Sequence, residues 1–290
     1  MTSMSSDAMP LIPHRLRDVL SRWADGGRRE QPATRWMRPT WQANLPEHHD
    51  LLAPLPDVVD RAIVAKRAAG AADSEALAVQ AFVTAMVWGY GPVGYGAFRT
   101  ARVLRENPQA AQTLREAAQV VRSEGGAAAF AWLAQHRLRY LGVAFATKYL
   151  YFCNTPGSAP ALILDRLVQR WLRQHAGCQV RLDWQVGDYT RYLHLVGAWA
   201  DELGTTPDIV EYLMFSDTLS QEPGRSPWAA PDTETAVLPG SDGDATTAVL
   251  EAIEDAASAF AALADVSPAD VDDFERGIRQ LRRILLARNA

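Results

Sequence analysis

Lysine is nearly missing from this 290-residue chain: Lys66 and Lys148 stand against 27 arginines. Cysteine is as scarce. Cys153 and Cys178 can supply neither a disulfide framework nor a four-cysteine iron–sulfur cluster. The six histidines (His14, His48, His49, His136, His175, His194) form no HExxH, and paired CxxC spacing is absent, so no metal and no other cofactor is expected. No run of 18 or more apolar residues occurs, which argues against a membrane span. The first twenty residues lack the charged-then-apolar order of a signal peptide, and a cytoplasmic protein is expected. Alternating β patterns are almost missing too. Val180–Trp184 alone reads as a short strand, so the expected fold class is all-α, with about ten helices.

What is present begins with a core: 48% of residues are hydrophobic, enough for one large domain or two small ones. Charge is strongly segregated along a chain whose net charge is −5. Residues 1–97 carry ten basic and ten acidic groups, residues 98–191 carry 13 and six, and residues 192–290 carry six and 18. A basic middle of this size fits a phosphate-binding footprint, and equally a solvated arginine face.

Apolar spacing predicts helices over Pro13–Ala24, Pro56–Ala69, Ser74–Trp88, Phe98–Arg105, Pro108–Ser123, Ala127–Arg137, the end of Leu138–Phe152, Asp165–Ala176, Tyr189–Leu203 and Pro207–Ser216. Either Asp73 or Ser74 can cap the third of these. Trp36 and Trp41 lie in an arm expected to pack on the core. The domain reading is an N-terminal arm with its helices (1–73), a core (74–216), a Pro/Gly/Ser/Thr/Asp-rich linker (217–247) and an acidic helical pair (248–290). No internal repeat is visible.

The segment Trp88–Gly96 contains Gly89-x-Gly91-x-x-Gly94, the letter pattern of a dinucleotide site. No strand precedes it, Pro92 interrupts it and no βαβ unit follows, so that reading is set aside. Two readings remain. Four glycines with Tyr90 and Tyr95 describe either a loop that approaches a ligand and presents flat rings, or a tight interhelical turn with tyrosines packed on the core.

Lys148 sits among Phe145, Ala146, Tyr149, Leu150, Tyr151 and Phe152. An ammonium is costly to desolvate there, and surface positions have gone to arginine; an amine can lose its proton where a guanidinium cannot. Asp165 follows a Pro/Gly loop and the apolar run Ala161–Leu164, and stands at the N-cap of an amphipathic segment, where a helix terminus favours a carboxylate. An amine and an anchored carboxylate on consecutive elements form the leading constellation. Separately, each has a plain structural reading: a snorkelling lysine and a helix cap.

The stretch LRYLGVAFATKYLYF followed by ALILDRLVQRWL resembles the helix-hairpin-helix DNA glycosylases, specifically the bacterial 8-oxoguanine-glycosylase-fold group. The resemblance spans about Leu77 to Phe215. It implies a helix-hairpin-helix core that binds double-stranded DNA, flips out a modified base and cleaves its N-glycosidic bond. Lys148 would be the nucleophile toward the sugar, Asp165 its aspartate, and Gly142 and Thr147 hairpin residues on the DNA. The hairpin reads Leu141-Gly142-Val143-Ala144-Phe145-Ala146-Thr147-Lys148, without the second glycine of the superfamily pattern. In these enzymes the loop corresponding to Trp88–Gly96 fills the gap left by the flipped base, which makes Tyr90 or Tyr95 a wedge candidate. Arg166, Arg170 and Arg173 are the expected phosphate contacts, and Trp184, Tyr189 and Tyr192 the expected base pocket. Resemblance to a defence branch implies glucosylated hydroxymethylcytosine of phage DNA as the base; the wider group implies 8-oxoguanine repair, with or without strand cleavage at the abasic site. A DNA-binding module without catalysis, Lys148 touching only phosphate, is the contrasting reading.

Overall fold

The computed structural model describes residues 11–92, 95–155, 159–221, 253 and 268–288. Among them are thirteen α-helices and one two-stranded sheet. In chain order they are α1 (His14–Asp25), β1 (Thr34–Arg35), α2 (Arg38–Asn44), α3 (His49–Leu52), β2 (Val58–Val59), α4 (Arg61–Ala68), α5 (Glu75–Tyr90), α6 (Tyr95–Arg105), α7 (Ala110–Glu124), α8 (Gly126–Gln135), α9 (Val143–Phe152), α10 (Arg166–Ala176), α11 (Val186–Leu203), α12 (Pro207–Ser220) and α13 (Pro268–Arg288). The all-α expectation holds.

Helix α5 is the axis of the body. From Ala81 to Trp88 it is apolar but for Thr84, and a helix with so little polar surface must be surrounded. Residues Ala81 to Trp88 are all buried, and α4, α6, α7 and α9 pack around them. Ser74 caps it, accepting from Leu77 N at 3.2 Å. A second layer joins α10, α11 and α12, with α8 bridging from α7 to α11 and α1 lying on α12. Trp36 and Trp41 pack edge to face with ring centres 6.5 Å apart, both buried, and Trp36 Nε1 donates to the Pro56 carbonyl at 2.7 Å.

Two expectations about local structure need correction. Val180–Trp184 forms no strand. Val180 is buried and its carbonyl accepts from Gln169, while Arg181 turns back to Asp188 at 2.9 Å, so the alternation belongs to a loop folded onto α10 and α11. The sheet lies instead where Thr34 and Arg35 pair antiparallel with Val59 and Val58. That pairing takes the start of the helix expected over Pro56–Ala69, which begins only at Arg61, after Asp60 caps it through Ile63 N at 2.8 Å.

The last core helix also runs past the expected boundary at 216. Asp217, read as linker, is buried and accepts from Arg15 Nε at 2.9 Å, Arg15 Nη2 at 2.6 Å and Trp171 Nε1 at 3.0 Å. It ties α1, α10 and α12 together. Of the expected acidic helical pair, the second member is α13; the first, and most of the linker, fall outside the described residues. Burial alone would raise the Asp217 pKa, but hydrogen bonds from Arg15 and Trp171 outweigh it and hold the carboxyl below its ordinary value. Asp217→Ala leaves the buried Trp171 N–H without its acceptor and is expected to cost about 2 kcal/mol. Urea unfolding at neutral pH should show this as a lower midpoint with unchanged slope. Because the folded pKa is depressed, the contribution is present above the unfolded pKa and is lost as pH falls through the folded one. The stability gap between variant and unmutated protein should therefore narrow in strong acid, down to what the neutral carboxyl still contributes as an acceptor.

Candidate active site

The hairpin is the turn between α8 and α9. Leu138 and Leu141 bury their side chains and leave the turn's backbone outside. Asn107 grips both sides of Arg139, donating to its carbonyl at 3.1 Å and accepting from its N–H at 2.9 Å, and Arg99 Nε donates to the Tyr140 carbonyl at 2.9 Å. Tyr140 takes a left-handed φ of 68° where the chain reverses, and the position of the missing second glycine lies further on, within α9. Gly142 is exposed at the head of α9.

Lys148 lies six residues into α9 and is 8% exposed. Its Nζ donates to Asp165 Oδ2 at 3.1 Å. The other carboxylate oxygen caps α10, accepting from Leu167 N at 3.1 Å and Val168 N at 3.2 Å. Burial alone would raise the Asp165 pKa. The Lys148 charge and hydrogen bond, with the two backbone amides, win and hold it below the ordinary carboxylate value. The cap reading of Asp165 is met, whereas the snorkelling reading of Lys148 is not, since its amine ends on Asp165 rather than in water.

What fixes the pair is the extended run before α10. Ala161 N donates to Asn154 Oδ1, and its carbonyl accepts from Asn154 Nδ2, both at 2.9 Å. Tyr189 Oη donates to the Leu162 carbonyl at 2.7 Å and accepts from Leu162 N at 3.1 Å. Tyr192 Oη donates to the Ile163 carbonyl at 2.8 Å, and Thr147 Oγ1 accepts from Leu164 N at 3.0 Å. Every residue from Ala161 to Leu164 is thus anchored, and Asp165 inherits its position from them.

This arrangement changes the expected roles of several residues. Tyr189 and Tyr192 are buried with their hydroxyls taken up by backbone, so they brace the site rather than line an open base pocket. Trp184, half-buried, leans on Phe130 at 5.4 Å. Thr147 is fully buried and faces Leu164, not a ligand. Two glycines of the Trp88–Gly96 segment, Gly89 and Gly96, make room for the protein itself. A Cβ on Gly89 would meet Lys148 Cδ at 3.0 Å, and one on Gly96 would meet Tyr90 Cγ at 2.2 Å. Tyr90 stacks on Phe145 at 3.9 Å. The side chain of Tyr95 lies outside what is described. Of the three arginines on α10, Arg166 and Arg173 are half-buried, and Arg170 is bonded to Glu275 of α13. Arg137 and Arg139, exposed on the hairpin, are cations that the periodic reading passed over.

A polar cluster beside the pair also escaped the sequence reading. Arg61 Nη1 donates to Tyr151 Oη at 2.8 Å, Nη2 to Glu211 Oε2 at 3.3 Å and Nε to Gln31 Oε1 at 3.0 Å. Its guanidinium lies over Tyr151 at 4.9 Å and Trp88 at 5.4 Å. Burial pushes Glu211 up to about 7, helped by the Asp165 charge and opposed by Arg61 and Lys148. The only available signal was an acid, Glu211, within an otherwise apolar helix stretch. Nothing in the sequence joined it to Arg61, 150 positions away. Among the described residues no group of three His, Cys, Asp or Glu could hold a metal ion, and no helix is long and apolar enough to cross a membrane.

A turn between two helices leads here to a lysine bonded to the aspartate that heads the next long helix, within an all-α body. Residues 27–215 match the family described as "Putative 8-oxoguanine DNA glycosylase OGG-like protein", and the chain belongs to that family. Neither curated proteins nor solved structures returned a match.

Glu275 tests the surface around α10. If Arg170 contacts phosphate when released, Glu275→Gln should steepen the dependence of log affinity for duplex DNA on log salt by about one unit. Fluorescence anisotropy between 50 and 200 mM salt would measure it, and an unchanged slope would remove Arg170 from the interface.

Proposed function

We propose that this protein is a DNA glycosylase that uses Lys148 as nucleophile and Asp165 as the charge that holds it. The 3.1 Å Lys148–Asp165 bond, at the junction of the hairpin helix and α10, is the observation that carries this reading. The base is extruded from the duplex. The Lys148 ammonium gives up a proton to the departing base, and the amine so freed attacks C1′ as the glycosidic bond breaks and the base leaves with the bonding pair. Asp165 stays ionised and stabilises the positive charge that develops on the sugar. Opening of the sugar ring then yields a Schiff base at Lys148. Hydrolysis of that intermediate leaves an abasic site, and elimination from it cuts the strand.

DNA enters from the side of the hairpin, where Gly142 and the amides heading α9 meet a phosphate and Arg137, Arg139, Arg166 and Arg173 supply positive charge. Tyr90, on Phe145 directly above Lys148, supports the space vacated by the base. The family description favours 8-oxoguanine as the base. Glucosylated hydroxymethylcytosine, the base of the defence reading, is the other arm of the assay.

Duplexes bearing each modified base, incubated with the protein and analysed by mass spectrometry, should release a free base. Borohydride should trap a covalent protein–DNA adduct. Lys148→Ala should abolish the adduct, and Asp165→Asn, which keeps much of the cap, should slow release by about 10²–10³-fold while the protein remains folded. Lys148→Arg separates this reading from a non-catalytic binding module: it should retain DNA binding and lose all release. An adduct that survives Lys148→Ala would put the nucleophile elsewhere.

A further inference from the structure

Glu211 is an unusual residue to bury. It is 1% exposed, and its one hydrogen-bond partner among the described residues is Arg61, through a single 3.3 Å contact to Oε2. A carboxylate has about four acceptor positions, so most of this one's capacity is unused. Leaving a buried acceptor unused costs free energy unless something else fills it. Arg61, by contrast, is fully engaged by Gln31, Tyr151 and Glu211 and by the faces of Trp88, Tyr151 and Tyr212. It is held as a fixed counter-charge. The carboxylate is what remains available.

Its place is the second observation. Tyr151 stands three residues after Lys148 and so on the same face of α9, one turn along. Glu211 interacts electrostatically with both Lys148 and Asp165. The Tyr189 and Tyr192 hydroxyls are taken up by backbone, so of the polar groups around the pair it is this carboxylate that has acceptors left for a base. We propose, resting on the glycosylase reading, that Glu211 recognises the extruded base by accepting two parallel N–H bonds from a guanine-type edge, with Arg61 holding the carboxylate in place. Guanine and its 8-oxo derivative present N1–H and the 2-amino group side by side, the donor pair that a carboxylate's two oxygens match. Cytosine-type bases present one amino group beside an acceptor nitrogen, which an ionised carboxylate opposes.

The protonation state is part of the reading. Glu211, pushed up to about 7, accepts two N–H bonds when ionised and loses an acceptor when protonated. The groups that face it are Arg61 from α4, Lys148 and Tyr151 from α9, Asp165 at the head of α10, and Tyr189 and Tyr192 from α11. Arg61, Tyr151 and Tyr192 are shifted up and Asp165 down, away from neutrality. Lys148 acts identically on any base, so a ratio of two substrates cancels it.

The experiment compares two duplexes under single turnover, one carrying 8-oxoguanine and the other 8-oxohypoxanthine, which lacks only the 2-amino group. The full-length protein should release 8-oxoguanine at least about tenfold faster at pH 8, a preference equivalent to about 1.4 kcal/mol. That preference should shrink as pH falls from 8 to 5.5. Glu211→Gln should bring the two rates within about threefold by slowing release of 8-oxoguanine. Should that variant fail to fold, as loss of a buried ion-pair partner can cause, the pH series on the unmutated protein still decides. Equal rates for the two bases, a preference that does not change with pH, or a folded Glu211→Gln protein that keeps it would each overturn the inference. Release of a cytosine-type base alone would overturn it and leave the glycosylase reading standing. Release of no base would remove both.

Discussion

The extended run Ala161–Leu164 is the constraint on which the site depends. Four side chains from elsewhere, Asn154, Thr147, Tyr189 and Tyr192, take up its backbone groups, and it delivers Asp165 to the head of α10. A loop alone would leave that carboxylate mobile. Here the backbone N–H and carbonyl groups of a buried strand-like segment, which must be bonded somewhere, are bonded to side chains from α9 and α11. The same bonds that satisfy the segment therefore set the distance between Asp165 and Lys148. Mutating the tyrosines would disturb the site without their touching a substrate.

The pair itself balances opposing effects. Desolvation of Lys148 and Asp165 is costly, and the attraction between them offsets it only because further bonds satisfy the carboxylate. The amides of Leu167 and Val168 do this, so a helix cap serves at once as structure and as charge control. Gly89 contributes by omission: without a Cβ, α5 passes close enough to the lysine stem to confine it. Glu211 differs from the pair, since among the described residues its bonding capacity is met only by Arg61.

The C-terminal helix adds a different element. The second helix of the expected acidic pair contributes Glu275, which reaches back to Arg170 on the helix that Asp165 begins. Charge segregation along the sequence becomes charge complementarity across the fold. The same arginine that fits a phosphate also fits a carboxylate.

By itself the sequence determined the longer helices of the core, because apolar spacing of three and four residues is a local property, but not the short α2 and α3 of the arm. It also singled out Lys148 and Asp165, because one of only two lysines in an arginine-rich chain and a carboxylate before an amphipathic run are both readable without contacts. Its errors were at short elements: Val180–Trp184 alternates but has no neighbouring strand to pair with, and the start of α4 was displaced by the pairing of Val58 and Val59 with residues more than twenty positions earlier. Asp217 looked like linker because its composition did, while its bonds to Arg15 and Trp171 are long-range. Only the tertiary structure decided that Tyr189 and Tyr192 brace the backbone, that Thr147 faces inward, and that Arg61, Tyr151 and Glu211 meet. Hydrogen-bond partners far apart in the chain leave no periodic trace, and burial of a polar residue is decided by what packs over it.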